Sequence, residues 1–364
     1  MRKGIRLALA AVLTGALVFS VGASRAADDL EIEKARAFIR GYSDAPTAFP
    51  VTEPLKKLPT GKKIAIIDCG SPICGLFANL AQQPSEMLGM TLTRIKAGTT
   101  ADGVAAAFDT VLEGHFDGVF VPAVAPSLWQ RYLNKLDAAH IPVVASGIIG
   151  LDRAKVPVVG ASETSTTLGG VLMADWAVAR DGSKLDAVFY TTPELSFTNL
   201  LADVFVKEAK ERCKNCVVRV VEIPVATFGN KAPTIVVDDL LAHPKTTVAV
   251  FAVGEQTIGL PSALKTADIK LPMLLNVPGP SELSSIRDGT YTAGLGNDLA
   301  VLTWTMVDSL ARLTTGQVPA EGALRDQLVC QFLSANNIKG DTSRGWTGYP
   351  DFPDRFKALW AAAK

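Results

Sequence analysis

The chain has 364 residues, is 48% apolar and carries 36 basic against 36 acidic side chains. That length and apolar content suffice for two cores. With no net charge the chain lacks a global field to gather nucleic acid or an anionic membrane, so neither is expected as a partner.

The chain opens on a basic Met-Arg-Lys-Gly-Ile-Arg, runs through apolar Leu7 to Val21, and reaches Ala23-Ser-Arg-Ala26, whose small residues suit a signal peptidase. Residues 1–26 are therefore expected to be a secretory signal peptide, the alternative being a retained membrane anchor. No Cys follows the apolar run, which rules out a lipoprotein anchor, so the mature chain is expected free in an exported compartment such as a periplasm. Residues 27–60 form a leader with a short helix over Glu31 to Ile39, broken afterwards by Pro46, Pro50, Pro54 and Pro59. It either lies on the body or is a disordered arm.

From Lys62 to Gly150 strands and helices alternate. Lys63-Ile-Ala-Ile-Ile-Asp68 is a β-branched run ended by Cys69-Gly-Ser-Pro72. Cys74 to Gly89 has a helical pattern, Met90 to Ile95 is a strand, and Asp102 to Glu113 places Val104, Ala107, Phe108 and Val111 on one helix face. Phe116 to Val121 is a third strand. Ser127 to Ala139 is amphipathic with Ser127 as its expected cap, and Ile141 to Ala145 is a fourth strand. Strands joined by helices of this length run parallel. Ligands in such sheets sit beyond the carboxyl ends of the strands.

A second series follows, starting with Val156 to Gly160 and the helix Leu168 to Arg180. Strands are expected over Leu185 to Tyr190, Val217 to Val221, Val248 to Val253, Pro272 to Val277 and Tyr291 to Gly296. Helices are expected over Phe197 to Glu211, Lys231 to Ala242, Thr257 to Lys265, Glu282 to Asp288 and Leu299 to Leu313. Leu324 to Leu333 offers a closing strand. Residues 335–364 form a tail, packed on the surface by Trp346, Tyr349, Phe352 and Trp360.

Five cysteines meet an oxidising compartment if the export signal is used. Cys213 and Cys216, in a Cys-Lys-Asn-Cys turn, form either a small structural disulfide or a redox dithiol. Cys69 and Cys74 flank the first loop and make a second bridge possible, leaving Cys330 as the odd thiol. The pairing stays open at the level of sequence.

The order Lys-Ile-Ala-Ile-Ile, then Phe-Asp-Gly-Val-Phe-Val-Pro, then Ala-Ala-His-Ile-Pro-Val-Val (138–144) resembles the first lobe of the type I periplasmic binding proteins, the ribose- and galactose-binding group of ABC importers. The likeness runs from about Gly61 to Gly316. It implies an α/β fold of two Rossmann-like lobes, parallel sheets flanked by helices and joined by crossover hinge strands. Lobe 1 would comprise 61–147 and 292–316, and lobe 2 would comprise 150–290 and 317–334. The implied protein is a monomer that captures a small molecule by hinge closure and presents it to an ABC permease in the inner membrane, with no cofactor, no metal and no chemistry of its own.

Sugar-binding members of that family hold hydroxyls with Asp, Arg, Asn and Gln. Here Ala125 stands where the Asp is expected, Pro193-Glu-Leu-Ser-Phe197 where an Arg is expected, and Gly254-Glu255 where Asn-Asp is expected. Val277-Pro-Gly279 replaces Phe-Asp-Gly, and Asn297 keeps amide character. The expected floor of the pocket is Ile73, Leu76, Phe77, Ala125, Pro126, Phe197 and Pro278. Ser71, Glu194, Asn199, Glu255, Gln256 and Asn297 would supply a few orienting bonds beside Gly254. Such a pocket suits a flat or apolar compound better than a sugar, because each unpaired buried hydroxyl costs about 1–3 kcal/mol. Phe77→Ala would then weaken binding with little change in melting temperature. A conventional sugar or polyol carrier and a periplasmic sensory module signalling to a membrane kinase or chemoreceptor are the competing readings. An enzyme is disfavoured, since no HExxH, GxSxG or phosphate loop occurs and the three His (115, 140 and 243) lie away from the cleft loops.

Overall fold

The computed structural model describes residues 29–363. The expected signal segment lies outside them, and among the described residues no helix is long and apolar enough to cross a membrane. A leader helix, α1 (29–40), comes first. It is followed by β1 (Lys63–Asp68), α2 (Pro72–Met87), β2 (Thr91–Lys96), α3 (Ala101–Glu113), β3 (Gly118–Pro122), α4 (Pro126–Trp129), α5 (Leu133–Ala138), β4 (Val143–Ser146) and β5 (Val158–Gly160). These strands form a parallel sheet in the order β2-β1-β3-β4-β5.

Next come α6 (Glu163–Asp181), β6 (Asp186–Thr191), α7 (Ser196–Arg212), β7 (Val217–Glu222), α8 (Ala232–Ala242), β8 (Val248–Phe251) and α9 (Leu260–Thr266). The chain ends with β9 (Met273–Asn276), α10 (Pro280–Arg287), β10 (Ala293–Asn297), α11 (Leu299–Leu313), α12 (Glu321–Leu324), β11 (Cys330–Leu333) and α13 (Phe352–Trp360). The second sheet has the order β11-β10-β9-β8-β6-β7, and only β11 is antiparallel to its neighbour.

Burial on both faces explains why the strands read as unbroken apolar runs. In β1, Ala65 and Ile67 enter the core beneath α3, while Ile64 and Ile66 enter the core beneath α2 and α11. Thr100 caps α3 by accepting from Gly103 N at 3.2 Å. The expected helix over Ser127 to Ala139 is interrupted by a tight turn at Gln130–Tyr132, and Ser127 does not cap it. Its first segment starts instead at Pro126, whose missing N–H suits the first helical position. Cys213 and Cys216 are bridged where α7 hands over to β7, and Cys330 is a buried free thiol.

Two strands sit in a different sheet from the expected one, the first against the order of the strand series and the second against what the family resemblance implies. Val158–Gly160, expected to open the second series, pairs with β4 and completes the first sheet. Its three residues are fully buried, so the run is used to cover the open side of β4 before the chain crosses at Ala161. Ala293–Asn297, expected in lobe 1, pairs with β9 in the second sheet, and only α11 returns to pack on the first.

The crossings are thus β5 to α6, β10 to α11, and α12 to β11. Asp326, 5% exposed, binds the first and last of them together. Its carboxylate accepts from Ser162 Oγ at 2.7 Å, Ser162 N at 3.2 Å, Ser165 N at 3.1 Å and Ser165 Oγ at 3.0 Å. Ser162, the residue before α6, is therefore a donor, and its side chain does not cap the helix; the Asp326 carboxylate occupies the helix start. Asp298 caps α11 through Val301 N at 2.9 Å and also accepts from Thr347 Oγ1 at 2.7 Å and Gly348 N at 2.9 Å.

The leader and tail are built into the lobes. Ile32 and Ala35 of α1 join the core beneath α6 and α7, whereas Val51 and Leu55 join the core beneath α11. Tyr349 and Trp360 are buried rather than lying on the surface, and Trp360 stacks on Trp304 at 5.6 Å. Trp360 Nε1 donates to Asp308 Oδ1 at 2.8 Å, and Arg312 Nε donates to Asp308 Oδ2 at 2.7 Å. Arg312 Nη2 reaches Glu53 O of the leader at 2.6 Å, so one buried ion pair ties α11, leader and tail.

Asp326→Ala would leave two buried N–H groups and two hydroxyls without their acceptor. Unsatisfied buried groups cost about 1–3 kcal/mol each before relaxation, so a net loss of about 3 kcal/mol is expected. Urea denaturation of the variant measures it.

Candidate functional site

An apolar cavity opens between the lobes at the carboxyl ends of the parallel strands. Its volume is about 100 Å³, room for several waters, so in this conformation side chains fill most of the gap. Ile73 and Phe77 of α2, Ala123 after β3, Gly147 after β4 and Ala161 after β5 wall it from lobe 1. Phe197 and Leu201 of α7, Asn276 and Val277 after β9, and Asn297 of β10 wall it from lobe 2, with Leu302 and Met306 of α11 behind.

The backbone at this cavity is strained in a consistent way. Ala123, Ala161 and Val277 all have left-handed φ, at 55°, 50° and 49°. Each follows a strand end, and such conformations cost non-glycine residues about 1–3 kcal/mol. They turn the chain sharply out of the sheet and bring its backbone to the cavity. Gly254 serves the same crowding: a Cβ there would stand 3.1 Å from Val277 O and 3.3 Å from Glu282 Cγ.

The expected site residues separate into distinct groups. Ile73, Phe77, Phe197 and Asn297 line the cavity together. Phe197 packs against the cores of both lobes, and its ring lies 3.8 Å from where a Cβ on Gly147 would be. Ser71 is buried at the start of α2, with its Oγ 3.3 Å from Cys69 Sγ. The Cys69–Cys74 bridge closes this loop. Gly254 and Pro278 are buried against each other behind the cavity wall.

Leu76, Ala125, Pro126, Glu194, Asn199 and Gln256 do not line the cavity. Ala123, two residues earlier, lines the cavity in place of Ala125, the left-handed turn at 123 following directly on the end of β3. Glu194 and Asn199 are exposed; Glu194 accepts from Val225 N at 3.3 Å, and Asn199 Oδ1 from Thr191 Oγ1 at 3.3 Å. Gln256 is fully buried and used internally, accepting from Val253 N at 3.2 Å and donating to Thr192 Oγ1 at 3.0 Å.

Residues 69–317 match the family described as a periplasmic binding protein domain. The chain belongs to that family. No curated protein sequence matches it. Among solved structures, this periplasmic binding protein is similar to the 5-methylthioribose transporter solute binding protein of Thermotoga lettingae, at 14% identity and a TM-score of 0.69 over 85% of this chain and 99% of that one. It is also similar to the Caulobacter myo-inositol binding protein, at 15% identity and a TM-score of 0.66 over 78% and 96%. A galactofuranose binding protein matches at 16% identity and a TM-score of 0.64 over 76% and 95%. At such identities the likeness establishes the two-lobed fold.

Polar groups missed or undervalued in the sequence mark this binding protein's cleft. Asn297 Nδ2 donates to Asn276 Oδ1 at 2.9 Å, and Asn276 Nδ2 donates to Ala252 O at 3.0 Å, linking the ends of three strands. Asn276 follows the apolar run of β9, so its pattern reads as core. Glu255 lies between the lobes, where burial pushes its carboxyl up to about 7. The Ile73 backbone N–H, in the first turn of α2, opposes that shift, and the nearby Glu282 carboxylate adds to it.

Phe77 is 4% exposed and meets Phe120 edge-to-face at 5.8 Å, so it is core as well as wall. Phe77→Ala is therefore expected to destabilise the free protein by about 3 kcal/mol, contrary to the sequence expectation; chemical denaturation without ligand decides it. Burial also raises Asp298, to about 6. A carboxyl with a raised folded pKa contributes stability below its unfolded value, and that contribution is lost as pH rises through the folded one. The melting temperature of the free protein should fall from pH 5 to pH 8, and Glu255→Gln should flatten the part of that fall lying near pH 7. Calorimetry across this range tests both.

Proposed function

We propose that the protein is an exported, periplasmic solute receptor of an ABC import system, without chemistry of its own, that captures a small molecule between its lobes by hinge closure. The observation that carries this reading is the cavity itself, walled by both lobes at the carboxyl ends of their strands. A ligand held there touches α2 and α7 at once, so it favours the conformation in which the two lobes approach, and a membrane permease can recognise that shape.

The ligand is less polar than a simple sugar. Ile73, Phe77, Phe197, Val277, Leu302 and Met306 offer no hydrogen bonds, and Asn276 already spends its amide inside the protein. A hexose buried against these walls would leave several hydroxyls unpaired, at about 1–3 kcal/mol each. The solved relatives support a second reading, a sugar or polyol carrier, because they are named for 5-methylthioribose, myo-inositol and galactofuranose. The first of these ligands joins a pentose to an apolar methylthio arm, a compromise between the two readings.

Thermal-shift screening separates them. At 100 times its dissociation constant a ligand adds about 2.7 kcal/mol. Aromatic and aliphatic compounds are expected to raise the melting temperature and D-ribose, D-galactose and myo-inositol to leave it unchanged; stabilisation by the sugars alone would reverse the assignment. Small-angle scattering should show a smaller radius of gyration with the best hit, and an unchanged radius would count against hinge closure.

A further inference from the structure

The cleft also carries a charge pattern that its apolar walls do not account for. Asp298 and Asp326 line the cavity, and no Lys, Arg or His is among the described residues that do. Glu255 stands at its edge: Ile73, whose N–H acts on the Glu255 carboxylate, lines the cavity, and so does Val277, which lies against Gly254. Glu282, the charged group facing Glu255 from α10, is 6% exposed and accepts from Ser281 Oγ at 2.6 Å. Asp298 and Asp326 are saturated by the hydrogen bonds described above, but Glu255 is not.

Three buried side-chain oxygens have no partner among the described residues: Ser146 Oγ, Glu255 Oε2 and Asn297 Oδ1. All three follow or end strands on the cleft side. Ser146 is fully buried. It shares the face of β4 occupied by Val144, because side chains two apart point the same way. That face is covered by α2 and α11, whose Phe77, Leu302 and Met306 line the cavity. Buried polar atoms are normally hydrogen-bonded, and each orphan costs about 1–3 kcal/mol. Asn297 lines the cavity while Glu255 and Ser146 lie beside it, and orphan acceptors in and around a cavity devoid of cationic side chains call for a ligand that brings donors and positive charge.

We infer that the cleft ligand is an organic cation, an apolar body bearing a protonated amine whose N–H groups meet Glu255 Oε2 and Asn297 Oδ1. This rests on the interlobe cleft being the binding site, as proposed above. A carboxylate of the same shape would face Glu255 and Glu282 with no counter-charge and is excluded. A neutral alcohol satisfies one acceptor but leaves the Glu255 charge unpaired. Occupation by the amine favours ionised Glu255, so binding strengthens as pH rises past the group's raised pKa.

The test uses matched trios on the full mature chain: 2-phenylethylamine, 2-phenylethanol and phenylacetate, with hexylamine, hexanol and hexanoate, alongside D-ribose. Calorimetric titration is expected to show at least one amine binding at pH 8, at least tenfold more weakly at pH 5.5, and neither acid binding. E255Q should weaken that amine at least tenfold more than the corresponding alcohol. Acids binding as well as amines, no amine binding at all, or E255Q leaving the amine within twofold would each overturn the inference. Ribose binding with no apolar compound bound would overturn the underlying apolar reading as well. An amine whose affinity is unmoved by Phe197→Ala would lie outside the cleft.

Discussion

The carboxylate of Asp326 accepts the N–H groups and hydroxyls of both Ser162 and Ser165, so the crossing from β5 to α6 and the crossing from α12 to β11 share one hydrogen-bonded anchor. Asp298 adds the remaining crossing, because its backbone N–H donates to Val329 O at 2.9 Å while its carboxylate caps α11. These buried acids are tolerable because their oxygens accept several hydrogen bonds, among them bonds from N–H groups that would otherwise be orphans at the starts of α6 and α11. Fixing the crossings in this way sets where the two rows of strand ends face each other. The walls of the cleft follow from that placement.

What faces the gap is governed by a second constraint, the sharp exit of the chain from each strand. Left-handed residues at 123, 161 and 277 turn the backbone out of the sheet within one residue of each strand end. The polar side chains near the gap stand at the strand ends themselves, at Ser146, Asn276 and Asn297, and at Glu255 in the turn after β8. The result is a cleft of aromatic and aliphatic walls with a small number of acceptors. Such a division of labour is the usual one for small-molecule sites.

Much of the fold was legible because buried parallel strands and amphipathic helices have distinct periods: β1, α3, β3, α7 and α11 are apparent from their apolar spacing alone. Sheet membership was harder to read, since the three residues of β5 and the glycine-rich β10 look alike whichever lobe they join. Nor did the leader and tail announce themselves, because Val51, Leu55, Phe356 and Trp360 are spaced by prolines and turns rather than by any period. Around the cavity, the expected aromatic residues Phe77 and Phe197, in the helices that follow β1 and β6, are among the lining side chains. Polar residues were poor guides: Gln256 and Asn199 carry suitable chemistry, but one is consumed by its own turn and the other faces solvent. The disulfide between Cys69 and Cys74 was only one of the open pairings in the sequence, and the fold brings it to the loop that starts α2.

The leader and tail also join the two lobes. Tyr42 O accepts from Phe332 N at 2.8 Å beside the second sheet, and a few residues later Phe49 and Val51 pack on the first lobe. The tail makes the same passage in reverse: Trp346 packs on lobe 2, Tyr349 on Val301 and Val329 at the hinge, and Phe356 in lobe 1. The leader meets α12 at Gly322, where a Cβ would stand 1.9 Å from Pro50 O, and it meets the tail at Gly348, which sits against Pro46. Leader and tail thus bridge the two lobes beside the three crossings. The aromatic stack of Trp304 with Trp360 and the Asp308–Arg312 pair anchor that bridge in a dry core, where it yields little. The two lobes are therefore held together by the leader and tail as well as by the three crossings, around the narrow gap between them.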